Sequence, residues 1–279
     1  MIRYFLYIFL FILILSCQRK ISEIPTRVKG KTSFTDEEKS TLICLDCEDI
    51  KKLNQDDFSK VKFLSIYDRN CKLDDFLYKF ERLEALGINT QKLDFPNKEK
   101  TINDLGGLYI HDIVFSSVPS FVLKQNKLED LILWLRDDTA VNNEFLVLEN
   151  LKKLTLTVEK LNEFPARLFK LKKLVQLRIV PIGLDKELRI VNLAEMGIND
   201  FQELETIELP IQSMSDFEKL KKLPKLKVLI IPSLPILEHY NFLKEFDFLQ
   251  VFEVKNASAR QRNQIRKLLP NVKTHYVFQ

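Results

Sequence analysis

The sequence predicts an α/β solenoid, one parallel sheet laid down a strand at a time, with short helices or irregular turns carrying the chain back behind it. Three observations point there. An apolar frame L-x-x-L-x-L recurs at nearly constant spacing, each occurrence has the local chemistry of a strand, and proline or polar residues interrupt the chain between occurrences.

The stretch 151–180, LKKLTLTVEKLNEFPARLFKLKKLVQLRIV, shows all three. Leucine returns every three or four residues, which would suit one long helix. Yet Thr155, Thr157 and Val158 form a β-branched cluster beside Leu154 and Leu156, whose alternation has the period of a strand. Pro165 would break a helix running through the middle. The chain therefore reads strand, turn, short helix and strand again.

The frame fits Leu151, Leu154 and Leu156, and the next match is Leu174, Leu177 and Ile179. Its first position falls in chain order at Val61, Leu83, Leu105, Leu128, Leu151, Leu174, Leu204, Leu226, Leu249 and Val272. The spacing of these positions is even to within one residue, except for a single longer step between Leu174 and Leu204. A weaker frame with Leu42 and Cys44 precedes these ten, so the expectation is ten to eleven repeats. One repeat offers too little apolar surface to offset the entropy of ordering it, whereas stacked repeats share a core. At about 4.8 Å per strand the sheet would run roughly 50 Å. The extra residues of the long step, Pro181 to Asn199, should bulge outward as a longer helix or loop, an insertion and not a second domain.

This spacing resembles the leucine-rich repeat family, with its pattern L-x-x-L-x-L-x-x-N/C-x-L, over residues 36–279. Leu161, Phe164, Pro165, Leu168 and Leu171 resemble the convex half of the bacterial form of the repeat. The resemblance implies a horseshoe with a concave parallel sheet, protein partners, and caps at 36–60 and 257–279. The position that should hold Asn is Cys47, Arg69, Gln91, Ile113, Arg136, Glu159, Ile182, Gln212, Leu234 and Ala257 in successive repeats, so only Cys47 conforms. Irregular turns after the strands are expected in place of an asparagine ladder.

Ahead of the repeats, residues 1–16 carry one charge, Arg3, followed by an apolar run, which reads as a signal peptide too short to span a bilayer comfortably. Ile14, Leu15, Ser16 and Cys17 resemble a bacterial lipobox, which implies that Cys17 is lipidated and becomes the new N-terminus. An uncleaved anchor with an incidental Cys is the other reading. Residues 17–35 would then be a lipidated N-terminus and tether, with Arg19, Lys20, Arg27, Lys29 and Lys31 against Glu23 alone. Such a tether can lie on anionic headgroups or serve as a solvated spacer. Gln18 after Cys17 is not an acidic retention signal, which leans the expected location toward the outer membrane of a bacterial envelope.

The whole chain has 43 basic and 39 acidic residues, but the basic excess sits in the tether and the repeats are near neutral. That excludes nucleic acid as the main partner, because phosphate contacts require clustered Lys and Arg. Arg260, Arg262, Arg266 and Lys267 read as the solvated face of a last helix. Cys44, Cys47 and Cys71 fall at inward positions and suit buried thiols, with a Cys47–Cys71 bridge as the alternative. No metal site is expected, since His111, His239 and His275 lie far from the thiols. Asp137 with Asp138 follows a strand, and Asp36, Glu37 and Glu38 suit a helix N-terminus. His275 falls at an inward position of the last frame. With no Gly-rich phosphate loop and no nucleophile or metalloprotease motif, the sequence predicts neither an enzyme nor a cofactor.

The remaining candidate is the displayed concave face, whose residues fall in three columns. The first reads Phe63, Ala85, Gly107, Asp130, Lys153, Gln176. The second reads Ser65, Gly87, Tyr109, Ile132, Thr155, Arg178, and the third Tyr67, Asn89, His111, Trp134, Thr157, Val180. Tyr109, His111, Ile132 and Trp134 would form a patch on two neighbouring strands, flanked by Tyr67 and Arg178, with a hollow at Gly87 and Gly107. Aromatics and Arg on an open sheet have the composition of a protein-binding hot spot. The plainer reading is that these side chains pack on one another. The expected function is a membrane-anchored protein that binds a protein ligand through its concave face. The alternative is an assembly scaffold inside the envelope.

Overall fold

The computed structural model describes residues 41–44, 50, 55–73, 75–96, 100–137, 143–160, 168, 170–181, 201–211, 214–234 and 240–276. Cys17, the tether, Cys47, Asp138, His239 and the bulk of the long step lie outside the described residues.

Each apolar frame becomes one strand of a single parallel sheet. In chain order the strands are β1 Thr41–Cys44, β2 Phe63–Tyr67, β3 Asn70–Lys72, β4 Ala85–Asn89, β5 Lys92–Asp94, β6 Gly107–Phe115 and β7 Asp130–Asp137. They continue with β8 Lys153–Lys160, β9 Gln176–Pro181, β10 Thr206–Glu208, β11 Val228–Ile231, β12 Val251–Val254 and β13 Lys273–Tyr276. Eleven of them form one sheet in sequence order, and β3 with β5 forms a separate parallel pair. Among the described residues, α-helices in the connections include α1 Gln55–Lys60, α2 Ser120–Leu123, α3 Met214–Leu220 and α4 Ala259–Leu268. The leucine-rich repeat architecture expected from the spacing is thus the architecture observed.

The register repeats the frame residue for residue through most of the sheet. Leu64, Leu86, Leu108, Leu131, Leu154, Leu177, Ile207, Leu229 and Phe252 stand side by side across successive strands. Leu108, Leu131, Leu154, Leu177, Ile207 and Leu229 are completely buried. These β-branched and leucine-rich strands alternate buried and half-buried residues, so one side of the sheet faces the core and the other is displayed. The long step separates Leu177 from Ile207, yet it leaves the pairing of β9 with β10 parallel and in frame.

Where the asparagine ladder is missing, other side chains stitch the turns. Buried Gln125 accepts from the Ile102 N–H at 3.0 Å and donates to the Phe121 carbonyl at 2.9 Å, linking two repeats. Buried Thr90 donates towards the carbonyls of Arg69 and Lys92 and accepts from the Lys92 N–H. Among the described residues every buried side-chain nitrogen or oxygen has a partner, as expected when an unpaired one would cost about 1–3 kcal/mol.

The rim where the strands begin carries complementary charges one repeat apart. Lys62 pairs with Glu84 at 2.9 Å, Lys152 with Glu129 at 2.7 Å and Lys227 with Glu205 at 2.7 Å. A parallel row pairs Lys127 with Asp104 and Lys225 with Glu203. Exposed pairs of this kind add little stability each, about 0–1 kcal/mol. Their period of one repeat favours the correct neighbour over a slipped one.

At the C-terminal end, α4 opens with a reciprocal cap: Ser258 Oγ accepts from the Gln261 N–H, and Gln261 Oε1 accepts from the Ser258 N–H. Arg260, Arg266 and Lys267 on this helix are exposed and Arg262 is half-buried. The last strand departs from the expected frame by one residue. His275 pairs with Glu253, a displayed position, because Phe252 is matched by Thr274 and not by the residue after it. His275 thus stands one position off the expected frame in register, and its side chain lies outside those described.

Candidate functional site

The displayed face of the sheet is built from the alternate residues of each strand, and the row Gly87, Tyr109, Ile132, Thr155, Arg178 lies across β4, β6, β7, β8 and β9 in register. Neighbours in such a row are about 4.8 Å apart along the sheet. Tyr109 and Ile132 are therefore adjacent, as the frame predicts.

The next row is not continuous. After Tyr109 the pairing of β6 with β7 slips, and Trp134 is matched by Val114 instead of His111. Residues 110–113 on β6 face only Leu133 on β7, an irregularity of the β-bulge kind. Asp112 within it has φ 63°, a left-handed conformation that is uncommon for a residue with a side chain. His111 remains in register with Asn89 on the other side. The expected pairing of His111 with Trp134 is thus corrected: the bulge moves His111 away from that place. Burial lowers the His111 pKa below its ordinary 6.5, opposed by the charge of Asp112.

The expected hollow is half filled. The Tyr109 ring lies across Gly107 on its own strand, so that a Cβ added at Gly107 would stand 2.7 Å from Tyr109 Oη. Tyr109 Oη donates to Asp130 Oδ2 at 3.2 Å, and Lys153 Nζ lies 3.8 Å from the same oxygen. Burial raises the Asp130 pKa, against the pull of Lys153 and the Tyr109 hydrogen bond. Gly87 keeps its space, since a Cβ there would meet nothing nearer than Ser65 Oγ at 3.4 Å. Tyr67, Ile132 and Trp134 are half-buried, each on the displayed side of its strand.

Arg178 is held by a residue that the frame did not single out. Its Nε and Nη2 both donate to Glu208 Oε2, at 2.6 and 2.5 Å. The other carboxylate oxygen, Oε1, accepts from Lys255 Nζ. The Glu208 side chain is only 4 % exposed, against 35 % for Arg178 and 25 % for Lys255. The signal was present in the sequence: carrying the second column across the long step places Glu208 beside Arg178. Lys255, two repeats beyond Glu208, had none.

The sequence matches no protein-family model and no curated protein. Among solved structures the chain is similar to an internalin from Listeria monocytogenes, with 14 % identity, 84 % of this chain and 65 % of the internalin covered, and a TM-score of 0.49. It thus spans just under two thirds of the internalin's length. It is also similar to a leucine-rich repeat protein of Leptospira interrogans, with 17 % identity, 80 % of each chain covered and a TM-score of 0.33.

Proposed function

We propose that the protein is a lipid-anchored leucine-rich repeat protein of a bacterial envelope, attached through Cys17, that binds a protein partner on its displayed sheet face. The observation that carries this reading is the half-exposed pair Ile132 and Trp134 on β7, beside Val114 of β6 and Thr155 and Thr157 of β8. Tryptophan and branched apolar side chains standing on a sheet of small hydroxyl residues supply large rigid contact area at low entropic cost. The lipobox-like Ile14-Leu15-Ser16-Cys17 and the basic tether support the anchor, and Gln18 supports the outer membrane.

The test has two stages. Protease is applied to intact cells, and the repeat domain is followed with an antibody. Digestion places the domain outside, where a binding screen compares wild type with Trp134→Ala. Loss of a central aromatic anchor should weaken the partner by about 2 kcal/mol or more, some thirtyfold. One observation favours the second reading, an assembly scaffold within the envelope: Tyr109 and Arg178 are already engaged by Asp130 and Glu208. A domain digested only after the envelope is broken, together with unchanged behaviour of Trp134→Ala, would establish the scaffold and refute the receptor.

A further inference from the structure

We infer that Arg178 and Lys255 form a second contact on the displayed face, one that takes a carboxylate side chain of the protein partner. This rests on the reading of that face as a binding surface. Two cations share one buried carboxylate, and each keeps donors that Glu208 does not occupy. Arg178 commits two of its five N–H groups to Glu208 and Lys255 one of its three, and among the described residues neither has another side-chain partner. The uncommitted donors belong to side chains one third and one quarter exposed.

Glu208 does more than neutralise. As a nearly buried acceptor it fixes the guanidinium from one side and the ammonium from the other, so the entropy of ordering two long side chains is lost on folding and not on binding. Between them stands Ile230 of β11, in register with Glu208 and 9 % exposed, an apolar floor that raises the strength of a charge-assisted hydrogen bond. Arginine held with its plane fixed offers a carboxylate the forked geometry that lysine lacks.

Position ties this contact to the apolar one. Arg178 lies in the same row as Thr155 and Ile132, two strands or about 10 Å from the latter, so one partner segment can cover both. Glu253 of β12 follows Ile230 in that row and opposes an incoming acid from the far side.

The experiment uses the full chain in detergent, with arginine labelled at nitrogen and acetate as the probe. The Nε–Hε signal of Arg178, identified by its absence in Arg178→Lys, is followed while acetate replaces chloride at constant ionic strength. A saturable shift is expected, weakened at least about tenfold in Lys255→Gln, retained in Lys255→Arg and tightened in Glu253→Gln. Thermal melts of each variant separate loss of the site from loss of the fold. A shift that never saturates, or is the same for chloride, overturns the inference. Saturation by inorganic phosphate well below the acetate range also overturns it, in favour of a phosphate site. Because the readout needs neither partner nor cell, an acetate site that persists while Trp134→Ala leaves binding unchanged sinks the surface-receptor reading alone.

Discussion

The repeats before and after the long step share a core but not a surface. From β6 to β9 the strands are six to nine residues long, while β10 to β13 have only three or four. Buried residues in both halves obey one frame. Displayed residues of the first half include the large side chains Tyr67, Ile132 and Trp134, half open to solvent. In the second, Glu208 and Lys255 form an ion-paired cluster with Arg178 of β9 across the long step, and even displayed positions such as Glu208 and Ile230 are covered. A solenoid demands only that each repeat match its neighbours on the inside, so the outside is free to diverge along the chain.

The comparison breaks most sharply in the core, where the halves should behave alike. Leu154→Ala in β8 and Phe252→Ala in β12 each empty a site no more than 1 % exposed. Both should cost about 3–5 kcal/mol in denaturant unfolding. A cost under about 1 kcal/mol for either would mean that its repeat is not packed as described.

A smaller effect, centred on the cluster that joins the two halves, should follow from Glu208→Ala. Removing the shared carboxylate leaves Arg178 and Lys255 facing each other, a loss of about 2 kcal/mol after allowing for the partial exposure of both cations. Adding Arg178→Met to that variant should restore part of the stability. If the double variant is no better than the single one, like-charge repulsion is not the cause.

In the first half, Gly107→Ala should act on the site and scarcely on the fold. The added Cβ meets only the far end of the Tyr109 ring, which can swing away and release its hydrogen bond to Asp130, at a cost of about 1 kcal/mol. Tyrosine fluorescence or the Tyr109 ring resonances would report the movement. Unchanged signals would mean that the ring does not rest on Gly107.

The subtlest test is a slope against pH. Burial depresses the His111 pKa, so the unfolded chain takes up its proton at about 6.5 while the folded one resists it. The unfolded state then binds more protons, and the stability His111 contributes is present above about pH 6.5 and lost as pH falls through the folded value. The Tm of wild type should therefore drop more between about pH 7.5 and 5.5 than that of His111→Gln. Parallel curves would show that the bulge leaves His111 open to water.

Much of the molecule was legible beforehand. A single repeated pattern of apolar residues specified the strands of the main sheet, their order, their parallel pairing and the in-frame return after the insertion, because an inward position must be apolar whatever its neighbours are, whereas the small β3–β5 pair was not foreseen. The row Tyr109, Ile132, Thr155, Arg178 followed from the same counting. His111 did not, because Ile113, Val114 and Phe115 continue the apolar run and nothing in it marks a left-handed Asp112. The one-residue advance of β13 was hidden for the same reason: Val272 suits a buried first position in either register.

The sequence by itself determined which face of most strands is buried, since hydrophobic burial is read one residue at a time and needs only the period. Only the tertiary structure decided what the displayed side chains do. Tyr109 lies down on Gly107 towards Asp130, and Arg178 is shared with Glu208 and Lys255, because those contacts join separate repeats through strand register, side-chain reach and the backbone's one described bulge. Local pattern carries the first kind of information, and packing geometry between repeats carries the second.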